Sequence, residues 1–164
     1  MAPNRLSALD ASFLDVETAS AHMHVGWAAT FDPPEERPAP SFEQLRDHIG
    51  RRLHRAPRYR QRLAGVPLGI ARPAWVDDDR FDVTRHVRPA DTASLTELTG
   101  SVLSTPLSRE RPLWELWIAD RLDDGRIGVV GKAHHCMVDG IAAVELATVL
   151  LDPEPYRPPD PPDH

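Results

Sequence analysis

The chain has 164 residues, 41% of them hydrophobic and 27% charged, which is typical of a globular protein with one core and excludes a disordered chain. The net charge is -6 and the arginines are scattered, which argues against nucleic acid as a partner because phosphate binding needs clustered positive charge. The single cysteine excludes an internal disulfide and favours a cytoplasmic location.

The first predicted elements alternate between helix and strand. Apolar residues within 6–14 have helical spacing, and residues 25–31 form a β-prone run that ends at a Pro-rich loop. Ser41 predicts the N-terminus of a longer helix, because Gln44 three residues later completes a capping box. The apolar side chains that follow repeat at helical spacing as far as Leu53, so one face of this helix is expected to pack inward.

The middle of the chain predicts extended segments followed by another helix. Residues 59–87 contain two β-prone segments, Trp75-Val76 and Phe81-Asp82-Val83. A second capping box, formed by Ser94 with Glu97, then predicts a helix start.

The last third predicts a hairpin, a helix and a linker. Residues 113–122 and 126–134 are β-prone runs joined through Asp124-Gly125, which favours a type I′ turn. Residues 141–151 have the spacing of a largely buried helix, and residues 152–164 are Pro-rich and acidic. The mixed order of elements predicts an α/β fold, or α+β, with a mixed sheet and flanking helices.

The segment that carries chemistry lies where the hairpin ends. His134 and His135 are predicted at the end of a strand, with Asp139 and Gly140 just before the next helix. A neutral imidazole can accept a proton from a hydroxyl near neutral pH, which is worth about 10²–10⁴ in rate. An aspartate in the same loop can fix it by pairing with an arginine, and glycine permits a turn that other residues resist. The segment therefore predicts a loop that carries a general base.

Other interpretations of this segment are weaker. Adjacent histidines on a strand point to opposite faces, so at least one of His134 and His135 is expected to be structural. Two adjacent histidines with one aspartate are poor zinc ligands, and no metal site is predicted. Cys136 could be a nucleophile beside a base, although a small buried hydrophobic residue is the commoner role of a lone cysteine.

The pattern His134-His135-x-x-x-Asp139-Gly140 resembles the signature of the chloramphenicol acetyltransferase-like superfamily of CoA- and carrier-dependent acyltransferases. The likeness to the bacterial wax ester synthase/diacylglycerol acyltransferase family runs from about Leu6 to Leu151. It is carried by the segments Leu6–Leu14, Met23–Gly26, Arg72–Val83 and Pro106–Glu115, the last with Pro-Leu-Trp at its centre.

The resemblance implies an N-terminal subdomain of the chloramphenicol acetyltransferase-like fold and an O-acyltransferase activity. His135 would be the general base that takes a proton from a fatty alcohol or from the free hydroxyl of diacylglycerol. The alcohol would then attack acyl-CoA, a co-substrate, and no cofactor is implied. Asp139 would organise the loop that Gly140 allows to turn, and His134 would play a supporting role.

The resemblance also assigns a role to the Pro-Leu-Trp segment. Pro112, Leu113 and Trp114 would shape the acyl or CoA side of the pocket, although the buried start of a strand explains them equally well.

Members of this family are much longer, with two halves of similar size and the reaction channel between them. The resemblance therefore implies that residues 1–151 are the N-terminal acyltransferase domain, that residues 152–164 are a linker or tail, and that the C-terminal half is absent. That half, in cis or in trans, would supply the other channel wall, so we expect residues 1–164 alone to be inactive or nearly so. Any contact with a membrane or lipid droplet is expected to be peripheral, because no apolar run approaches the roughly 20 residues of a membrane span.

Two rival functions stay open at this point. A condensation domain of peptide synthesis shares the histidine motif but uses carrier-protein thioesters and an amine acceptor; the Pro-Leu-Trp and N-terminal segments argue against it. A non-catalytic lipid-binding or partner-binding module would keep the fold without the second half.

Overall fold

The structure is a computed structural model that describes residues 4–65 and 71–137. Several predicted features lie outside these residues: Asp139, Gly140, the helix at 141–151 and the linker at 152–164. The described elements in chain order are β1 (Asn4–Arg5), α1 (Ala8–Val16), β2 (His24–Phe31), α2 (Phe42–Arg52), β3 (Gln61–Ala64), β4 (Ala74–Asp77), β5 (Val87–Pro89), α3 (Leu95–Ser104), β6 (Trp114–Ala119) and β7 (Ile127–His134).

A four-stranded mixed sheet forms the centre of the fold, with the strand order β2-β7-β6-β5. β7 is antiparallel to both of its neighbours, and β5 is parallel to β6. All eight residues of β7 are buried, because this strand is central and covered on both faces.

The two faces of the sheet pack against different helices. On one face, Trp114, Leu116 and Ile118 of β6 join a cluster that includes Phe42 and Ile49 of α2. On the other face, Ala119 and Val130 pack with residues of α3. The alternation along β6 and β7 is the period of two that a strand imposes on its side chains.

The caps of α2 and α3 differ from each other. The predicted capping box of α2 is complete, since the Ser41 side chain accepts from the Gln44 N–H and the Gln44 side chain accepts from the Ser41 N–H. At α3 the predicted box is only half formed. Ser94 accepts from the Glu97 N–H, but Thr92 intervenes: its hydroxyl donates to the Glu97 carboxylate and accepts from the Ser94 N–H.

Two local predictions are wrong in detail. The hairpin between β6 and β7 forms, but Gly125 donates its N–H to the Leu122 carbonyl as the fourth residue of the turn, with φ of 83°. This geometry is that of a longer loop rather than a type I′ turn. Phe81-Asp82-Val83 does not form a strand, because the Asp82 carboxylate accepts from the Thr84 N–H and caps a 3₁₀ turn at Val83–Arg85.

A second, three-stranded antiparallel sheet has the order β1-β4-β3. Its Trp75 packs in a cluster with Leu6, Leu107, Leu113 and Cys136. This cluster connects the small sheet and α1 to the segment that follows β7, and so positions the residues around the two histidines.

Candidate active site

The end of β7 places the two histidines in different environments. His134 is the last residue of β7, opposite His24 of β2, and is 1% exposed. His135 is half-buried. The sequence predicts that at least one of the pair is structural, and the burial favours His134 for that role.

His135 is held by its backbone and by its ring. Its N–H donates to the Met23 carbonyl over 2.8 Å. Its imidazole stacks on the ring of Phe13 in α1, with centroids 4.8 Å apart and an interplanar angle of 19°. The His135 side chain therefore lies against α1 while retaining contact with solvent.

His134 is surrounded by polar groups. Its Nδ1 accepts from the Cys136 N–H at 3.1 Å, and its Nε2 lies 3.6 Å from Oε1 of Glu17. Arg109 donates to the other oxygen of that carboxylate at 2.6 Å. Burial is the largest influence on the pKa of His134 and lowers it, the Glu17 carboxylate opposes this, and the net pKa is below the ordinary value. His134 is therefore neutral near pH 7.

The last carbonyls of α3 are bound by cationic or imidazole side chains beside this site. Lys132 donates to the carbonyls of Val102 and Thr105 at 2.8 and 2.7 Å. His24 pairs with the Leu103 carbonyl at 3.0 Å. Because the C-terminus of a helix leaves carbonyls without partners, these contacts fix the end of α3 beneath the end of β7.

Cys136 is unsuited to nucleophilic catalysis. The residue is 4% exposed, and burial raises the pKa of its thiol to about 12. A thiol is nucleophilic only as the thiolate, so Cys136 stays protonated and inert at neutral pH. The interpretation as a small buried hydrophobic residue is the one that the structure favours.

The Pro-Leu-Trp segment is buried. Pro112, Leu113 and Trp114 are each less than 2% exposed. The Trp114 indole donates to the Tyr59 carbonyl at 2.8 Å, and the Leu113 carbonyl accepts from the His134 N–H at 3.0 Å. The cavity that Trp114 lines has a volume of about 10 Å³, enough for about one water molecule. A role of these residues in a substrate pocket stays a prediction.

Within residues 4–65 and 71–137, no group of three or more His, Cys, Asp or Glu side chains could hold a metal ion. In the same part of the chain, no helix is both long enough and apolar enough to cross a membrane.

The sequence assigned no role to Glu17 or Arg109, and it placed Phe13 only within the predicted helix and the segment Leu6–Leu14 that carries the resemblance. Arg109 lies inside the segment Pro106–Glu115 that carries the resemblance, and Glu17 follows α1 directly. Two opposite charges near such segments are a weak signal, because neither residue shows which distant group it will meet.

Solved structures share this fold. The first condensation domain of the calcium-dependent antibiotic synthetase matches with a TM-score of 0.70 and 17% identity, over 92% of this chain and 36% of that one. At that identity the likeness shows the fold alone, a chloramphenicol acetyltransferase-like one. The wax ester synthase/diacylglycerol acyltransferase from Marinobacter aquaeolei VT8 matches with a TM-score of 0.72 and 33% identity, over 88% of this chain and 36% of that one.

Curated relatives come from mycobacteria. The probable diacylglycerol O-acyltransferase tgs3 of Mycobacterium tuberculosis is 38% identical over 161 residues, which cover 94% of this chain and 58% of the relative. The probable diacylglycerol O-acyltransferase tgs1 of the same species is 39% identical, over 91% of this chain and 33% of the relative. The chain thus spans between about a third and somewhat over half of the length of these relatives.

The sequence model of one protein family, the wax ester synthase/diacylglycerol acyltransferase catalytic domain, matches residues 6–164. The chain belongs to this family. The resemblance inferred from the sequence and the predicted mixed sheet with flanking helices are both confirmed.

Proposed function

We propose that the chain is the histidine-bearing part of an O-acyltransferase that moves a long-chain acyl group from acyl-CoA to diacylglycerol or a fatty alcohol. Membership of the family supports the reaction class. The observation that carries the proposal is the placement of His135, a half-buried imidazole at the end of a fully buried strand, stacked on Phe13.

In the proposed reaction, His135 removes the proton from the acceptor hydroxyl as the oxygen attacks the thioester carbonyl. The tetrahedral intermediate then collapses, the C–S bond breaks, and the CoA sulfur receives the proton from the imidazolium. The products are free CoA and an ester, which is a triacylglycerol or a wax ester. Asp139, with Gly140, is proposed to organise the loop after the two histidines.

A second wall of the reaction channel is also part of the proposal. The matched relatives extend well beyond the length that this chain covers. We propose that an equivalent domain, joined to this chain or supplied separately, forms the opposite wall and stabilises the oxyanion, a contribution commonly worth about 2.7–4 kcal/mol per donor. Residues 1–164 alone would then show little or no turnover. Peripheral contact with a membrane or lipid droplet stays a prediction.

The test is an acyl-transfer assay with palmitoyl-CoA on the full product of the gene that encodes this chain. The acceptors are dipalmitoylglycerol, hexadecanol and hexadecylamine, and His135→Ala is compared with His54→Ala, a change at an exposed histidine on another part of the surface. We expect ester formation that His135→Ala reduces by at least about 10²-fold and His54→Ala leaves unchanged. Near-normal transfer by His135→Ala would remove it as the base, and amide formation alone would favour a condensation-type enzyme.

A further inference from the structure

Glu17 is a charged residue that the proposed reaction does not use. It ends α1 as its C-cap residue, and its side chain is 13% exposed. One carboxylate oxygen accepts from Arg109, at 2.6 Å from Nη2 and 3.2 Å from Nε. The other lies 3.6 Å from Nε2 of His134.

We infer that Glu17, held by Arg109, is the positioning residue that sets the orientation of His135 for proton transfer. This inference rests on the proposed role of His135 as the base. Glu17 acts through three chains of contacts. They lead to the peptide after His135, to its backbone N–H and to its ring.

The first contact runs through the His134 ring. Because Nδ1 accepts from the Cys136 N–H, the neutral ring carries its proton on Nε2. That nitrogen is buried, makes no hydrogen bond within the described residues, and faces the Glu17 carboxylate. The peptide that Nδ1 binds is the one that follows His135. An imidazole oriented by Glu17 therefore holds the backbone turn in which His135 lies.

The second contact runs through Met23. Its backbone N–H helps to hold the pKa of the Glu17 carboxylate below the ordinary value. Its carbonyl accepts from the His135 N–H at 2.8 Å. The segment between α1 and β2 therefore lies near the Glu17 carboxylate and binds the backbone of His135.

The third contact fixes the position of the His135 ring through α1. Arg109 Nη2 also donates to the Leu14 carbonyl at 3.0 Å, in the last turns of α1. A cation at this position binds a helix carbonyl and is attracted to the negative end of the helix dipole, which stabilises the helix. Arg109 and Glu17 together fix where α1 lies, and α1 carries Phe13, which stacks on His135.

The charge states fit this arrangement. Burial raises the pKa of Glu17, but the hydrogen bond and the positive charge of Arg109 oppose this, and the net pKa is below the ordinary value. Glu17 is therefore ionised at neutral pH, while His134 is neutral with its Nε2 3.6 Å from that carboxylate. A neutral donor facing a fixed anion is a stable way to orient an imidazole.

The experiment compares Glu17→Gln and Glu17→Asp with Asp15→Asn, which removes an exposed carboxylate from the same helix. Nitrogen-15 spectra of the histidine rings report the tautomer and titration of His134 and the chemical shifts of His135. We expect Glu17→Gln to lower the pKa of His134 further and to shift the His135 ring signals, because it removes the carboxylate charge. Asp15→Asn should leave both unchanged.

Acyl-transfer kinetics form the second readout, normalised to the folded fraction. We expect Glu17→Gln to lower kcat by about 10- to 100-fold with KM unchanged, since misplacing a catalytic group by about 1 Å has effects of this size. Glu17→Asp, which keeps the charge on a shorter side chain, should recover part of the loss.

Two results would overturn the inference. The first is His134 and His135 signals that do not move in Glu17→Gln. The second is a loss of thermal stability with kcat unchanged, which would make the Glu17–Arg109 pair a purely structural tie. If the unsubstituted protein transfers no acyl group, the proposed function fails, and the spectra still decide whether Glu17 orients the two rings.

Discussion

The ring of Phe13 stacks on the imidazole of His135, with ring centroids 4.8 Å apart and planes inclined by 19°. Phe13 belongs to α1 and His135 follows β7, so the contact joins the first helix of the chain to the end of the central strand. It restricts the imidazole to one plane and shields one of its faces from water.

Phe13→Leu is therefore expected to lower kcat for acyl transfer. Leucine keeps an apolar side chain but loses the stacking, which is worth about 0.5–1.5 kcal/mol for ring pairs and corresponds to a rate loss of about 2- to 10-fold. Steady-state kinetics measure the effect. Leu9→Ala, at a 68% exposed position of the same helix, is the control and should keep full activity. An unchanged rate in Phe13→Leu would show that the stacking does not orient the base.

Cys136 should react slowly with thiol reagents in the folded protein. Its burial and its pKa of about 12 leave almost no thiolate at pH 8. Labelling with a disulfide reagent should be at least about 100-fold slower than in urea, where the thiol returns to a pKa near 8.5. Cys136→Ala should retain acyl transfer, and a complete loss of activity in a folded Cys136→Ala protein would contradict an inert role.

Gly131 of β7 has no side chain, which leaves room for the indole ring of Trp27 on β2. The two residues are paired in register, and a Cβ at Gly131 would lie 2.5 Å from Trp27 Cε2. Gly131→Ala should therefore lower the free energy of unfolding by about 1–3 kcal/mol through overpacking, as measured by urea denaturation. Adding Trp27→Leu should recover part of this loss.

Gly100→Ala is the matched control. Gly100 lies exposed in α3, and no atom comes within 4 Å of its added Cβ. The same change should there raise the free energy of unfolding by about 0.5–1 kcal/mol, since glycine is unfavourable inside a helix. Equal destabilisation at both positions would contradict the explanation from close approach.

Stability should fall as the pH drops below about 6.5. Burial lowers the pKa of His86 below its ordinary value of 6.5, partly opposed by its hydrogen bond to the Trp114 carbonyl. Between the lowered pKa and 6.5 the unfolded chain binds more protons than the folded one, so the free energy of unfolding rises with pH in that window. Burial lowers the pKa of His24 and His134 in the same direction.

His86→Asn should reduce the slope of the free energy of unfolding against pH by the equivalent of up to one bound proton. Denaturation at several pH values between 5 and 8 will measure this slope. His54→Asn, at an exposed histidine, is the control. A slope that is identical in His86→Asn and the unsubstituted protein would show that His86 titrates normally in the fold.

Replacement of Lys132 should strongly destabilise the fold. Its side chain is fully buried, 3.5 Å from the Glu115 carboxylate, and it binds the last carbonyls of α3. Lys132→Met leaves Glu115 without its buried cation, which costs about 3–5 kcal/mol in comparable cases. Thermal and urea denaturation check this, and Lys132→Met combined with Glu115→Gln should be less destabilised than Lys132→Met alone.

The local features of the fold could be predicted because they depend on neighbours in the sequence. Ser41 and Gln44 form their capping box within one helical turn. The β-prone residues of β7 and the turn glycine at Gly125 place the hairpin, and with it the two histidines at the end of a strand. The family likeness followed from the same segments, and the fold class from their order.

The tertiary structure decided what surrounds those histidines. Glu17 and Arg109 are separated by 92 positions, and nothing in the local pattern of either predicts that they meet beside His134. The different burial of the two adjacent histidines likewise depends on contacts with residues far away in the sequence, such as Glu17 for His134 and Phe13 for His135. The sequence alone thus determined the capping box of α2, the hairpin and the family. Packing between distant elements determined the environment of the base, because contact across a fold depends on how faces fit together and not on local periodicity.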